Sequence, residues 1–230
     1  HVVTFTRAKQ AAVDARLIDP TLEDEPDSKL NKVVENVLTR YHETTPDKGA
    51  QAIFLDHFQS HVEGAPRQFN AYEDIKAKLI AQGIPEKEIV IMDDKVKDAQ
   101  RPIIQDAINR GDIRVALGST EKLGTGLNIQ QRMASVHHVD APQRPMDIEQ
   151  RNGRILRTGN LYADPKLGGV EVVNYGMEGT LDAAQYQRLA IKSCFINQAL
   201  RGDFSGRSFE DADGSDTMTY EEQMAAFSGD

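Results

Sequence analysis

Residues 150–159 read Gln-Arg-Asn-Gly-Arg-Ile-Leu-Arg-Thr-Gly, three arginines and a glutamine gathered around two glycines in a chain of net charge −9. A guanidinium is planar, permanently charged and forked, which suits it to phosphate oxygens. Arg154 and Arg157 are three residues apart and share a face if the segment is helical, so together they can grip a polyphosphate as an arginine-finger element does. The competing reading is a solvated helical face in which these arginines pair with Asp147 and Glu149. The flanking sequence separates the two.

Residues 113–118 form a β-rich apolar run that breaks at 119–130 into hydroxyls and glycines, Ser-Thr-Glu-Lys-Leu-Gly-Thr-Gly-Leu-Asn-Ile-Gln. A strand followed by a Gly/Ser/Thr loop is how α/β proteins offer backbone N–H groups to phosphates. Residues 136–151 then give a short strand, a proline-bounded turn and a helix that carries the arginines. Three blocks stand in order: Gly118-Ser119-Thr120-Glu121-Lys122 with Gly124, Gly126, Asn128 and Gln130; Asp140-Ala141-Pro142; and Glu149-Gln150-Arg151 with Gly153, Arg154, Arg157, Gly159 and Asn160. This set resembles motifs V, Va and VI of helicase superfamily two, closest to the Swi/Snf-like branch. It is similar to the helicase module of large phage and plasmid antirestriction proteins that join a DNA methylase to a helicase. The resemblance runs weakly from Arg7 to about Asp230.

That resemblance implies roles residue by residue. Arg154 and Arg157 would be fingers reaching the γ-phosphate of an ATP held on another lobe, with Gln150 positioning them. Gly124, Gly126, Asn128, Asp147 and Arg151 would lie on the nucleotide side, the first three bordering the sugar. Ser119 and Thr120 would donate to the DNA backbone, helped by Lys122, contacts that position without reading sequence. Two positions depart from the pattern: Asn128 stands where related helicases often carry Asp, and Gln143 where the branch usually carries Trp. No Gly-x-x-x-x-Gly-Lys followed by Ser or Thr occurs, nor a Walker B acidic box. ATP with Mg is therefore implied to be held mainly by a missing N-terminal RecA-like lobe, and this lobe alone should not hydrolyse it. The implied function is the C-terminal lobe of an ATP-dependent DNA helicase or translocase, on duplex DNA without sequence preference and with a fused DNA methylase as a further partner. The alternative is a degenerate, non-catalytic lobe kept as a protein-interaction scaffold. A self-contained nucleotide-binding enzyme is disfavoured by the missing phosphate loop.

The elements that must position these residues alternate along the chain. The pattern predicts a helix over 6–17, an acidic loop over 19–27, and a helix capped by Asp27 or Ser28 with Leu30, Val33, Val34, Val37, Leu38 and Tyr41 inward. A strand follows at 51–56, then a helix capped by Asn70 with Ile75, Leu79 and Ile80 inward and stopped by Gly83. A strand at 89–92 precedes a helix from about Asp98 through Ile103, Ile104, Ala107 and Ile108 to Gly111. Strands are predicted at 113–117, 135–139 and 170–175, and a long helix over 181–200 ends at Gly202. Strands separated by helices imply a parallel sheet of about five strands covered on both faces, with ligands beyond the strands' carboxyl ends. This is an α/β class, a RecA-like three-layer lobe. The expected organisation is an N-terminal helix and acidic linker at 1–27, the helicase C-terminal domain at 28–202, and an acidic, partly disordered tail at 203–230.

Composition sets outer bounds. A chain of 230 residues with 39% hydrophobic content buries one sizeable core. The charge of −9 excludes a general nucleic-acid-coating surface, so DNA contact must be a local patch. The single Cys194 excludes an intramolecular disulfide and sits on a helix stripe as inert core; it fits a reducing compartment. With no span of roughly 18 apolar residues and no signal pattern, a soluble protein of the host cytoplasm is expected, with virion association as an alternative and no membrane partner. A start at His1 and an end in mid-pattern predict an excised piece of something longer. No metal is expected. His137 and His138, adjacent on a strand, point to opposite faces and cannot share an ion, and the acids around Asp211-Ala212-Asp213-Gly214-Ser215-Asp216 lack a calcium loop's closing glutamate. Asp56 and His57 end a strand where an acid–base pair could act, but no nucleophile is recognisable beside them.

Overall fold

The computed structural model describes residues 2–60, 68–124, 126–142, 144–153, 158–177, 180, 182, 184–189 and 191, the side chains of residues 2–5 and 165 excepted. Arg154, Arg157, Gln143, Cys194, most of the helix expected over 181–200 with its stop at Gly202, and the 203–230 tail lie outside these residues. Five strands form one sheet: β1 (Ala50–Phe54), β2 (Ile89–Met92), β3 (Val115–Gly118), β4 (Met133–His138) and β5 (Glu171–Asn174). Their spatial order is β2-β3-β1-β4-β5 and every pairing is parallel. Helices α1 (Val2–Val13), α2 (Lys29–Glu43), α3 (Ala71–Ala81), α4 (Arg101–Arg110), α5 (Thr120–Gly124) and α6 (Pro145–Gly153) complete the order. This is the α/β, RecA-like three-layer lobe that the alternation predicts.

Alternation of side chains along the strands makes two cores. Ile53, Leu55, Val115 and Leu117 face α2 and α3, meeting Leu30, Val33, Val37, Ile75 and Leu79. Ala52, Phe54 and Ala116 face the other way, meeting Ile108, Leu123 and Leu127. In β4 the pairing register shifts between Ala50 and Gln51, where Met133 and then Ser135 are the partners.

Local signals place the helices. Ser28 caps α2 by accepting from the Asn31 N–H, and Asn70 caps α3 by accepting from Tyr72 and Glu73. Gly111 ends α4 at φ +77 and ψ 23, a left-handed geometry that disfavours side chains. The expected 6–17 helix instead ends at Val13, because extended Asp14 accepts from the Arg16 N–H and starts a 3-10 turn over Ala15–Leu17. Two inward assignments are corrected. Ile80 is 37% exposed and Ile103 68% exposed, since Tyr72, Ile75 and Leu79 in α3 and Ile108 in α4 already cover the sheet. The hydroxyl-rich stretch after β3, read as a loop, contains the short helix α5.

Candidate functional site

The strand ends open into a cleft of about 750 Å³. Asp56 and His57 follow β1, Asp93 and Asp94 follow β2, Ser119 and Thr120 follow β3, and Asp140 follows β4; all line it, with Lys122 of α5 and Asp147 and Gln150 of α6. This is the carboxyl edge where open α/β sheets hold ligands. Of the residues singled out in the sequence, Ser119, Thr120, Lys122, Asp147 and Gln150 thus meet on one cleft. Gly124, Gly126 and Asn128 are not among its lining residues. Gly126 is exposed at φ +72, and Asn128 faces α4, receiving Asn109 Nδ2 on its carbonyl and donating its N–H to Gln105 Oε1. Gly124 lies nearer, where a Cβ would approach Gln150 Cγ at 3.9 Å.

The floor of the cleft is built on Arg151, whose side chain has no exposed surface. Its Nε donates to Thr120 Oγ1 at 2.8 Å, Nη1 to the Asp140 carbonyl at 3.0 Å and to His138 Nδ1 at 3.3 Å, and Nη2 to Asp56 Oδ2 at 2.8 Å and Asp140 Oδ1 at 3.2 Å. A guanidinium has five N–H donors, and each has an acceptor here. Asp140 Oδ2 in turn accepts the backbone N–H groups of Asp56 and His57 at 2.8 and 3.0 Å, and Asp56 Oδ1 accepts that of Thr120 at 2.7 Å. The network joins β1, the β3–α5 junction, β4 and α6. Burial pushes the Asp56 carboxyl up, but the Arg151 charge and the bonds from Thr120 outweigh it and hold the group below the usual carboxylate value.

Both histidines are buried, on opposite faces of β4. His138 Nδ1 accepts from Arg151, so the ring proton belongs on Nε2, which donates to Asn152 Oδ1 at 3.0 Å. Burial, then the Arg151 charge, lowers its pKa to about 4. His137 meets Tyr175 through Nδ1 and Ser135 and Gln51 through Nε2 on the α2 side, and burial lowers it to about 3. Among the described residues no group of three His, Cys, Asp or Glu is placed to hold a metal ion. The Asp56 carboxylate is engaged by Thr120 and Arg151, while His57 meets Asp140 through its backbone.

Two site residues carry no local signal in the sequence. Lys9 reaches the cleft from α1 and is 5% exposed; burial lowers its pKa, against the pull of Asp140 and Asp56. Tyr72 lines the cleft wall and donates its hydroxyl to the Leu55 carbonyl. No helix among the described residues is long and apolar enough to cross a membrane.

The chain is similar to the Defense against restriction protein B of Escherichia phage P1, 31% identical over 110 residues, which are 48% of this chain and 5% of that protein. The C-terminal part of the Fun30 ATPase domain shares the fold with a TM-score of 0.51 and 16% identity, over 73% of this chain and 47% of that one. The C-terminal domain of the DEAD-box protein Dbp5 covers 79% of this chain and 82% of its own, with 19% identity and a TM-score of 0.48. The family model described as the helicase conserved C-terminal domain matches residues 31–159, more than half of the sequence, and the chain belongs to that family.

Proposed function

We propose that the chain is the C-terminal RecA-like lobe of a Swi/Snf-like, ATP-dependent DNA helicase or translocase, supplying arginine fingers and part of the DNA track. The observation that carries this reading is the five-donor seating of Arg151, which fixes α6 against the strand ends immediately before the chain enters the segment of Arg154 and Arg157. A buried arginine so engaged holds the helix; it leaves phosphate contact to the arginines that follow and to Gln150 on the cleft. In ATP hydrolysis an attacking water would bond to the γ-phosphorus as the bond to the leaving group breaks, and guanidinium groups would stabilise the charge on the transferring phosphoryl oxygens.

The cofactor is ATP with Mg, which supplies the transferable phosphoryl group. The cleft suits only part of that ligand: its lining carries six carboxylates against Lys9, Lys122 and Arg144. The phosphate cradle and metal ligands would come from the N-terminal lobe of the same parent, and Asp147, with Gly124 beside Gln150, would border the nucleotide, whereas Gly126 and Asn128 are not among the cleft's lining residues. Ser119 and Lys122 face DNA, duplex and read without sequence preference. The motif resemblance adds a fused DNA methylase and a place in the host cytoplasm or the virion to the same reading.

The test joins this chain to its preceding lobe and measures ATP turnover with and without duplex DNA. Arg154→Ala or Arg157→Ala is expected to lower the DNA-stimulated kcat by about 10³-fold, the low end of arginine-finger effects. Turnover unchanged in both variants would sink the finger assignment.

A further inference from the structure

Ser119 and Thr120 stand side by side after β3, and the resemblance points both toward the DNA backbone. Their surroundings differ. The Thr120 hydroxyl gives its proton to Asp56 Oδ2 at 2.9 Å and accepts from Arg151 Nε at 2.8 Å, while its backbone N–H goes to Asp56 Oδ1. A hydroxyl has one proton, and this one is committed inside the protein. Ser119 Oγ accepts the Lys122 backbone N–H at 3.1 Å and Ser119 lines the cleft, so its own proton can be given to a ligand there.

We infer that the two hydroxyls divide the work: Ser119, with Lys122, takes a phosphodiester oxygen, whereas Thr120 is a positioning residue that couples this contact loop to α6 through Asp56 and Arg151. The inference rests on the reading of the lobe as half of a DNA-driven ATPase. Asp56 is the shared part. One carboxylate receives Thr120 through both its oxygens and Arg151 through one of them, and Arg151 precedes Arg154 by three positions. Asp140 closes the loop by binding both Arg151 and the backbone of Asp56 and His57. Arg151 and Asp140, the buried members of this ring, would be left short of partners if their bonds broke, so a loop shifted by a bound phosphate moves α6 with it rather than sliding past it.

The experiment uses the protein carrying both lobes, with fluorescein-labelled duplex DNA for anisotropy and ATP turnover measured with and without that DNA. Ser119→Ala is expected to weaken DNA binding by about tenfold or more, the loss of one hydrogen bond to a charged group. Thr120→Val, which keeps the shape and removes the hydroxyl, should leave the DNA Kd within about twofold yet lower the DNA-stimulated kcat at least about tenfold, with the KM for ATP unchanged. Thr120→Ser should restore turnover. Asp56→Asn should reproduce the Thr120→Val pattern, and the double variant should be no worse than either single one, as members of one network behave. The inference is overturned if Thr120→Val weakens DNA binding as much as Ser119→Ala, if its kcat is unchanged, or if the Asp56 and Thr120 effects add. Should Thr120→Val unfold early in a thermal melt, Thr120→Ser and Asp56→Asn carry the same comparison. Absence of DNA-stimulated turnover in the unsubstituted protein would overturn the function proposed above, a failure distinct from normal stimulation with a Thr120 variant that behaves like Ser119→Ala.

Discussion

Burying a guanidinium costs several kcal/mol unless its hydrogen bonds are met, and Arg151 meets them by drawing acceptors from three separate stretches of chain, at Asp56, Thr120 and 138–140. The same burial keeps its neighbours neutral. His138, with a pKa of about 4, and His137, with a pKa of about 3, would titrate near 6.5 in an unfolded chain. Between those values the unfolded state binds more protons than the folded one, so stability rises with pH there and is lost as pH falls from about 6.5 toward 4. At ~1.4 kcal/mol per pKa unit, His138 alone withdraws about 3 kcal/mol by pH 4, a large part of a typical domain's stability. Asp56, held below its ordinary value, adds a loss only below pH ~4, where the carboxylate protonates. Melting temperatures recorded at pH 7, 6, 5 and 4 should therefore fall steadily. His137→Gln should start lower at pH 7, having lost its bond to Tyr175, and decline less steeply. An unchanged slope would remove His137 from this account.

At the scale of elements, what the sequence makes legible is what depends on neighbours a few residues away. The Ser28 and Asn70 caps, the glycines after α3 and α4, and the apolar strands each act over one turn, and each is found at its expected place to within two residues. The motif residues Ser119, Thr120, Lys122, Asp147 and Gln150 share the cleft because strand ends in a parallel sheet share an edge. What stays hidden is long-range: Asp56 meets Arg151 across 95 positions, and Lys9 arrives from a helix before the motif region, so neither contact leaves a periodic trace. Ile80 and Ile103 look inward by composition, but helices three turns long cover the sheet with only a few positions. Two glycines test how tightly such elements are fitted. Gly83 has φ +96, and a Cβ added there would meet nothing within 4 Å, so Gly83→Ala carries only the left-handed penalty of about 1 kcal/mol. Gly111 has φ +77 and a Cβ there would lie 2.6 Å from Lys48 Cβ and 2.8 Å from the Lys48 carbonyl. Gly111→Ala should cost at least ~2 kcal/mol more than Gly83→Ala in urea unfolding, because the α4–β3 turn packs on the segment before β1. Equal costs would show that the turn can move aside.

For the molecule as a whole, the open question is where the folding unit begins. Composition makes residues 1–27 a helix and an acidic linker in front of the lobe, and the family match starts at residue 31. Yet Val13 and Leu17 are each 1% exposed within the α2–α3 core, and Gln10 Nε2 donates to the Gln59 carbonyl at 3.0 Å. Arg16 pairs with Asp14 and Asp24 at 2.8 Å and with Asp74 at 3.2 Å, and its guanidinium lies 4.4 Å above the Phe69 ring. Asp24 also binds Lys78 at 2.7 Å, so the acidic stretch grips α3 rather than hanging free. Removing the buried Val13 and Leu17 would forfeit ~1.5–3 kcal/mol each, and Asp74 would lose Arg16 as a partner while keeping Lys78. A chain starting at Ser28 is accordingly expected to lose about 5 kcal/mol, which for this length lowers the melting temperature by about 10–20 °C. Arg16→Ala in the full chain should show a smaller part of that loss, since the apolar contacts remain. A truncated chain melting within about 3 °C of the full one would mean that α1 and its turn are a tether lying on a lobe complete without them. The expected loss would instead make this segment part of the core, with Lys9 brought to the cleft as a consequence of that packing.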